Sequence, residues 1–296
     1  MNWIIAAVIG YALFSGTNII DKLFLSRYKT TPLAYYVFAV TPSMLFIPAA
    51  IILGLKIPWP LLFIIMGLGV VFIISILLYL KAMQLDDASN IMAVWQLSPV
   101  FVLILSHILL GESLTLWSYI GFFLLLLAGF FLSIEHTQGI RIKKAALLVL
   151  AACSLSAVYA VAVKYISGTL TPVEILVWSR LATFMATTVI FFTMPKIRRE
   201  VYDIAKRSYY PYVLIMTLFI LGNAGFFLWT YSVAKGSVSI ASVLGATQPV
   251  FVFILALLLS RFVQELKEDY GRAVLIKKAL ALLFIIAGLV ALNWQV

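Results

Sequence analysis

Arg180 is a charged residue in the middle of an apolar run, residues 172–194. It follows the helix-start signal Thr171-Pro172 by nine residues, so it stands about 13 Å along a helix. If that helix crosses a membrane, the guanidinium must face protein or a wet cavity. Two roles fit: it donates to helix-end carbonyls beside a break, or it holds a substrate carboxylate or phosphate. Glu174 lies too far round the same helix to neutralise it.

A second chemical signal is a sequence motif that occurs twice, 150 positions apart. Pro-Val-Phe-Val begins at Pro99 and again at Pro249, inside apolar stretches, and Ser89 and Ser239 keep the same offset. A proline inside a helix removes a backbone donor, and in lipid the freed carbonyl needs another partner. Matching breaks in two half-chains are typical of transporters whose site lies between their repeats.

Polar and aromatic residues near these breaks and in neighbouring runs are candidates for lining a substrate site. The alternative for each polar residue is a hydrogen bond between helices, worth at most about 1–2 kcal/mol. For any single residue the two roles weigh equally, but for the group clustered near both prolines we favour a site. The predicted set is Asn18, Tyr79, Trp95, Gln96, Ser98, Tyr159, Arg180, Trp229 and Gln248, with Pro99 and Pro249 as helix breaks.

Residues for catalysis or metal binding are scarce. The chain has 2 histidines, His107 and His136, and 1 cysteine, Cys153, and they do not show metal-ligand spacing. The glycines form no phosphate loop, and no nucleophile stands with a base. We therefore expect no enzyme activity, no metal and no other cofactor. Glu112 and Glu174 stand at helix ends, where a structural role is favoured.

The composition places these residues in a membrane. Of 296 residues, 64% are hydrophobic and 11% charged, which predicts an all-α, multi-pass protein of the cell membrane. The net charge is +10, but the basic residues cluster between the apolar runs, as in membrane proteins, so we expect no nucleic-acid partner. Ten runs are long enough to span: 3–25, 33–55, 61–83, 88–110, 116–134, 145–166, 172–194, 209–234, 238–260 and 273–294.

Ten spans divide into two groups of five, residues 1–139 and 140–296. Because an odd number per half turns the second half upside down, we predict two inverted five-helix repeats, with Pro99 opposite Pro249 and the site near the midplane. Thr31-Pro32 and Thr171-Pro172 predict helix starts at corresponding places, the latter with a capping box. The basic segment 196–207 predicts an interfacial helical turn between the seventh and eighth runs.

Several short motifs together resemble a known family: Gly16-Thr17-Asn18, Tyr79 through Ser89, Pro99-Val100, Gly111-Glu112-Ser113-Leu114, Ala157 through Lys164, Trp178-Ser179-Arg180 and Trp229 to Pro249. They look like the drug/metabolite transporter superfamily, specifically its ten-span EamA-type carriers. The similarity covers nearly the whole chain. It departs at Phe14-Ser15, where tryptophan is usual, and at residues 261–278, where a Gly-Glu pair is expected. The resemblance implies cavity-lining spans for the polar residues near the breaks, Asn18, Gln96, Ser98, Thr247 and Gln248. It also implies that an arginine at position 180 accompanies varied substrates, which favours the structural role for Arg180.

The function that these features predict is transport of small metabolites by alternating access. Amino acids or similar small zwitterions and anions are the leading substrates; the alternative is an exporter or flippase of cationic or lipid-like amphiphiles. Small multidrug antiporters carry a glutamate in their first span, whereas residues 3–20 hold no charge here, and Asp21 is the nearest carboxylate. The expected partners are a small-molecule substrate and the lipid bilayer, with the chain a monomer or a weak homodimer.

The basic residues also predict an orientation. Apart from Arg180, all Lys and Arg residues except Lys56, Lys164 and Lys235 lie in or beside loops that follow odd-numbered runs. We name the membrane face with these loops the odd-loop face and the opposite one the even-loop face. The bias puts the odd-loop face in the cytoplasm and both termini outside, whereas the family resemblance puts the termini inside. We favour the charge argument.

Overall fold

The computed structural model of the protein describes residues 2–83, 85, 91, 94–133, 144–207, 209–259 and 272–293. Every regular element in this part of the chain is helical. Large apolar side chains lie on its outer surface: Ile52 is 82% exposed and Leu116 74%. An apolar exterior suits contact with lipid. Helices suit a multi-pass membrane protein, because in lipid each backbone group must be paired within its own segment.

The first half begins with two long spans, of which the second is bent. Pro42 lacks the N–H that would reach the carbonyl of Phe38, and Thr41 donates both its N–H and its hydroxyl (2.8 Å) to that oxygen. The helices of this half are α1 Trp3–Tyr28, α2 Pro32–Val40, α3 Phe46–Ile52, α4 Trp59–Met83, α5 Ser98–Leu110 and α6 Leu116–Ser133, with a 3₁₀ segment, Thr41–Leu45, between α2 and α3.

The second half repeats the succession of long helices and adds a polar one. Its helices are α7 Lys144–Ile166, α8 Pro172–Thr193, α9 Pro195–Arg207, α10 Tyr210–Lys235, α11 Val238–Val243, α12 Gln248–Leu259 and α13 Arg272–Asn293, with a 3₁₀ segment, Leu244–Thr247, between α11 and α12. The predicted starts at Thr31 and Thr171 are confirmed: each accepts a backbone N–H as N-cap, and Thr171 forms the capping box with Glu174.

The number of full-length spans differs from the ten predicted runs. Within the described residues, 7 helices or bent helix pairs are long and apolar enough to cross a membrane. The fourth, fifth and tenth predicted runs coincide with shorter apolar helices, Ser98–Leu110, Leu116–Phe131 and Ala279–Leu292. Part of the fourth run and the last residue of the fifth and of the tenth lie outside the described residues.

The helices of the two halves pack against each other in exchanged pairs. The first helix of the chain, α1, lies along α10, whereas α4 lies along α7. In the same way α1 packs on α12 and α5 packs on α7, while α6 and α13 pair at the edge of the bundle. The core therefore lies between the halves rather than within either one.

α9 is a complete helix of 13 residues, longer than the interfacial turn that the sequence predicted. Its buried side chains Ile197, Val201 and Ile204 recur at helical spacing and pack in one cluster with α1, α2 and α10. Glu200 accepts hydrogen bonds from the backbone N–H (3.2 Å) and the hydroxyl (2.6 Å) of Thr31. α9 thus holds the corner between α1 and α2.

Candidate functional site

Arg180 lies among aromatic side chains from several helices. Its guanidinium carbon stands 4.3 Å from the ring centroid of Phe226 on α10. The Phe226 ring is 5.8 Å from Trp229 and 6.5 Å from Tyr159 on α7, and Tyr159 in turn is 5.1 Å from Phe72 on α4. Aromatic faces stabilise a cation, so this cluster can hold the guanidinium far from bulk water.

The hydrogen-bonding capacity of Arg180 is not used up by the protein. Its Nε is buried without a hydrogen-bond partner, and in the described part of the chain Arg180 donates to no backbone carbonyl. The side chain is only half-buried, although Tyr36 on α2 and Tyr159 on α7 are near enough to interact with its charge. A guanidinium is a planar donor that can pair with a carboxylate or phosphate.

The second helix break is fixed by donors from α1. Pro249 cannot donate to the carbonyl of Gly245, and the N–H of Gln248 takes that oxygen instead. The Tyr11 hydroxyl donates to the carbonyl of Ala241 (3.1 Å), and the Ser15 hydroxyl shares its proton between the carbonyls of Tyr11 (2.8 Å) and Gln248 (3.0 Å). The carbonyls around this break therefore find partners in the first half of the chain, as backbone in lipid requires.

Tyr11 joins this break to the aromatic cluster. Tyr11 packs against the cluster that contains Trp229 and Phe226, and its hydroxyl donates to the break. Gly245 makes the approach possible, because a Cβ at that position would lie 3.1 Å from Cε1 and from Cζ of Tyr11. Trp229, predicted as a site residue, is 9% exposed and packs against Phe226.

The first helix break has a different donor. Pro99 cannot donate to the carbonyl of Trp95, and the Cys153 thiol of α7 lies 3.8 Å from that oxygen and 3.9 Å from the carbonyl of Val94. The Trp95 ring packs edge-on against Tyr79, with centroids 5.1 Å apart. This pair lies in a cluster with Cys153 that is separate from the cluster around Phe226.

The two breaks approach each other at one glycine of α6. A Cβ at Gly129 would lie 2.7 Å from Oε1 of Gln96 and 3.1 Å from Cβ of Ala246. Positions 96 and 246 are the equivalent ones, three residues before each proline. The Gln96 side chain is therefore directed towards α6, where it packs between helices.

The structure divides the predicted site residues into three groups. Tyr159, Arg180 and Trp229 gather round Phe226, whereas Tyr79 and Trp95 form their own pair. The other predicted residues belong to the break segments or to α1, and all of them are half-buried: Asn18, Gln96, Ser98 and Gln248. Of the two prolines, Pro99 is buried and Pro249 is half-buried.

Three residues of this region were missed by sequence reasoning: Tyr11, Tyr36 and Phe226. Phe226 precedes Trp229 by one helical turn, so the two share a face, and this spacing could have indicated it. Tyr11 and Ser15 are likewise one turn apart in α1. Their hydroxyls signal interhelical hydrogen bonds, but the spacing does not reveal which helix accepts them.

The even-loop face is closed by polar contacts. Ser239 at the start of α11 donates to Oε2 of Glu112 (2.8 Å) and shares a hydrogen bond with Ser106 of α5 (2.8 Å). Lys164 donates to the carbonyls of Val233 (2.8 Å) and Gly236 (2.7 Å) at the end of α10. Glu112 thus has the predicted structural role, with its partner in the other half.

The described residues form a helical bundle with an apolar surface, an arginine among the rings of its interior and paired proline breaks, as expected of a multi-pass membrane protein. Residues 1–134 and 143–294 match the EamA-like transporter family. The chain belongs to that family.

Comparison with other proteins supports the fold. One solved structure, titled "Crystal structure of protein", superposes with a TM-score of 0.71 at 19% sequence identity. The alignment covers 99% of this chain and 96% of that one, so the whole architecture is shared. No curated protein sequence matches the chain.

Proposed function

We propose that the protein is a ten-span carrier that binds small zwitterions or anions at Arg180 and moves them across the cell membrane by alternating access. The carrying observation is the half-buried Arg180 guanidinium, which lies among aromatic rings and whose Nε has no partner. A carboxylate or phosphate satisfies that donor, and rings such as Phe226 offer apolar contact for the rest of a small substrate.

An inverted arrangement of two five-helix repeats, 1–139 and 140–296, is part of this proposal. The exchanged packing of α1 on α10 and of α4 on α7 supports it, since a two-fold axis in the membrane plane produces such reciprocal pairs. The meeting of positions 96 and 246 at Gly129 supports placing Pro99 opposite Pro249. In this arrangement the three shorter apolar helices complete the ten spans.

The contacts at the even-loop face suggest the state of the carrier. Ser239 ties the second half to Glu112 and Ser106 of the first half, and these bonds close that face. In the proposed cycle the structure is the state in which substrate reaches Arg180 from the odd-loop face. Opening the even-loop face then requires that the bonds of Ser239 break.

The test is a matched set of variants in proteoliposomes and in thermal-shift binding. Arg180→Gln removes the charge, Arg180→Lys keeps the charge without the planar fork, and Lys56→Gln is an exposed control. We expect Arg180→Gln to lower transport and binding of anionic and zwitterionic metabolites about 10- to 100-fold, because a hydrogen bond to a charged group is worth about 1.5–3 kcal/mol. Unchanged affinity in a folded, monodisperse Arg180→Gln protein would remove Arg180 from the site.

A second candidate function, export of cationic or lipid-like amphiphiles, is favoured by Asp21. This carboxylate is half-buried in α1, accepts a hydrogen bond from the Tyr35 hydroxyl and interacts with Tyr79. The variant Asp21→Asn distinguishes the two candidate functions. Carriage of cations would be lost in this variant, whereas carriage of anions through Arg180 would persist.

A further inference from the structure

α9 carries its charge on one side. The segment Pro195–Arg207 has five basic and two acidic side chains, and its apolar side is buried against the bundle. At about 100° per residue, Arg199 and Lys206 fall opposite that buried side and Lys196 falls at its flank, and all three are exposed. This exposed side of α9, with these three residues, is named the basic face.

The acidic residues of α9 only partly offset this charge. Glu200 is directed inward, where it accepts hydrogen bonds from Thr31. Asp203 is exposed on the basic face, four residues after Arg199 and three before Lys206, so it can pair with one of them. The basic face therefore keeps a net positive charge.

Neighbouring residues extend the basic face across the α1–α2 corner. Nη1 of Arg207 donates to the carbonyl of Tyr28 (3.1 Å), and the Arg27 guanidinium carbon lies 4.5 Å from the Tyr210 ring centroid. Lys29, next to Tyr28, is exposed as well. These contacts bring the charges of α1 and α9 to one continuous surface.

The position of α9 determines what this surface meets. It is joined to the candidate span Pro172–Thr193 by one residue and to the candidate span Tyr210–Lys235 by two, so it lies at the membrane surface. Tyr202 is 53% exposed and Tyr209 78%, as is typical of aromatic residues at the headgroup level. Because the apolar side of α9 is occupied by protein, its basic face is the side left exposed at this surface.

We propose that the basic face binds the headgroups of anionic lipids in the leaflet at the odd-loop face. Basic side chains beside a span attract anionic headgroups with about 1 kcal/mol each, and guanidinium groups match phosphate geometry. Lipid bound there also touches the corner that Glu200 and Arg207 hold together. The binding requires no particular transported substrate, so it stands independently of the proposed function.

The test is lipid binding by the full-length protein in detergent. Native mass spectrometry during titration with phosphatidylglycerol, with phosphatidylcholine as reference, gives a dissociation constant for the tightest lipid. One charge at about 1 kcal/mol is about fivefold, so Arg199→Gln with Lys206→Gln should weaken phosphatidylglycerol binding about 25-fold. Binding of phosphatidylcholine should not change.

Two controls make the result specific. Arg199→Lys with Lys206→Arg keeps the charge and should bind phosphatidylglycerol within about twofold of the parent protein. Lys56→Gln with Lys235→Gln removes two exposed charges from the even-loop face and should do the same. Unchanged binding in the Arg199→Gln/Lys206→Gln protein would overturn the proposal. Displacement of the lipid by an equal concentration of inorganic phosphate would assign the face to free phosphate instead.

Discussion

The two proline breaks have the same sequence position in each half but different partners. At the second break, hydroxyls of Tyr11 and Ser15 donate to backbone carbonyls at 3.1 and 3.0 Å. At the first break, the Cys153 thiol lies 3.8 Å from the freed carbonyl of Trp95. A thiol is a much weaker donor than a hydroxyl. The second break is therefore held more firmly by the opposite half than the first.

A difference in sequence four residues before the two prolines accompanies this difference in partners. Gly245 leaves room for the Tyr11 ring, whereas the equivalent position carries Trp95, whose ring packs on Tyr79. The repeat sets where each helix breaks. The helix across the interface sets how firmly the break is held, and that helix is not the same in both cases.

The largest effect should come from Tyr11→Phe. The change deletes the donor to the carbonyl of Ala241, and a buried group left unpaired costs about 1–3 kcal/mol. We expect a loss of about 2 kcal/mol in unfolding free energy, measured by denaturant titration in detergent. Tyr165→Phe, at a tyrosine that is 62% exposed, is the matched control and should be neutral. Equal stability of both variants would show that the second break does not depend on α1.

A smaller effect is expected from Gly129→Ala, which acts on both breaks at once. The new Cβ would lie 2.7 Å from Oε1 of Gln96 and 3.1 Å from Cβ of Ala246, and the latter cannot swing away. We expect a destabilisation of about 1 kcal/mol after the helical gain of alanine.

The control for this variant has the opposite sign. Gly67→Ala in α4 meets nothing within 4 Å, so it should stabilise the protein by up to about 1 kcal/mol. The same unfolding titration compares the two. If Gly129→Ala also stabilises, the breaks do not meet at α6 as closely as the distances indicate.

The smallest effect should come from Cys153→Ala. Since the thiol is a weak donor, its loss should cost less than about 1 kcal/mol, mainly from the buried volume removed. The ratio of this cost to that of Tyr11→Phe measures the difference between the breaks. A cost for Cys153→Ala as large as that for Tyr11→Phe would make the two breaks equivalent.

Local signals predicted much of the fold. The helix starts at Thr31 and Thr171 follow from capping chemistry within three residues. The repeated prolines are the second residues of α5 and α12, and α12 directly follows a 3₁₀ segment. Each predicted run overlaps a described helix. The seven full-length candidate spans fall short of ten because three of those helices are shorter than the runs.

The partners of the polar residues could not be predicted, because they lie far away in the chain. Tyr11 donates to a carbonyl 230 residues later, and Ser239 pairs with a carboxylate 127 residues earlier. Composition and spacing identify such residues as costly to bury but do not indicate which helix satisfies them. α9 is different: the spacing of Ile197, Val201 and Ile204 already indicates a full amphipathic helix, so the expected turn was an underestimate.

The cap of α2 has a consequence for how the chain is made. Thr171 finds its carboxylate in Glu174, within the same turn, whereas Thr31 donates to Glu200, 169 residues later. At about 5–20 residues per second, the ribosome needs roughly 10–30 s to supply Glu200 after Thr31. During that interval the second span enters the membrane before the carboxylate that pairs with Thr31 at its N-terminus has been synthesised. Synthesis of α9 then closes the corner, so the early helices reach their final arrangement only when the second half is well advanced.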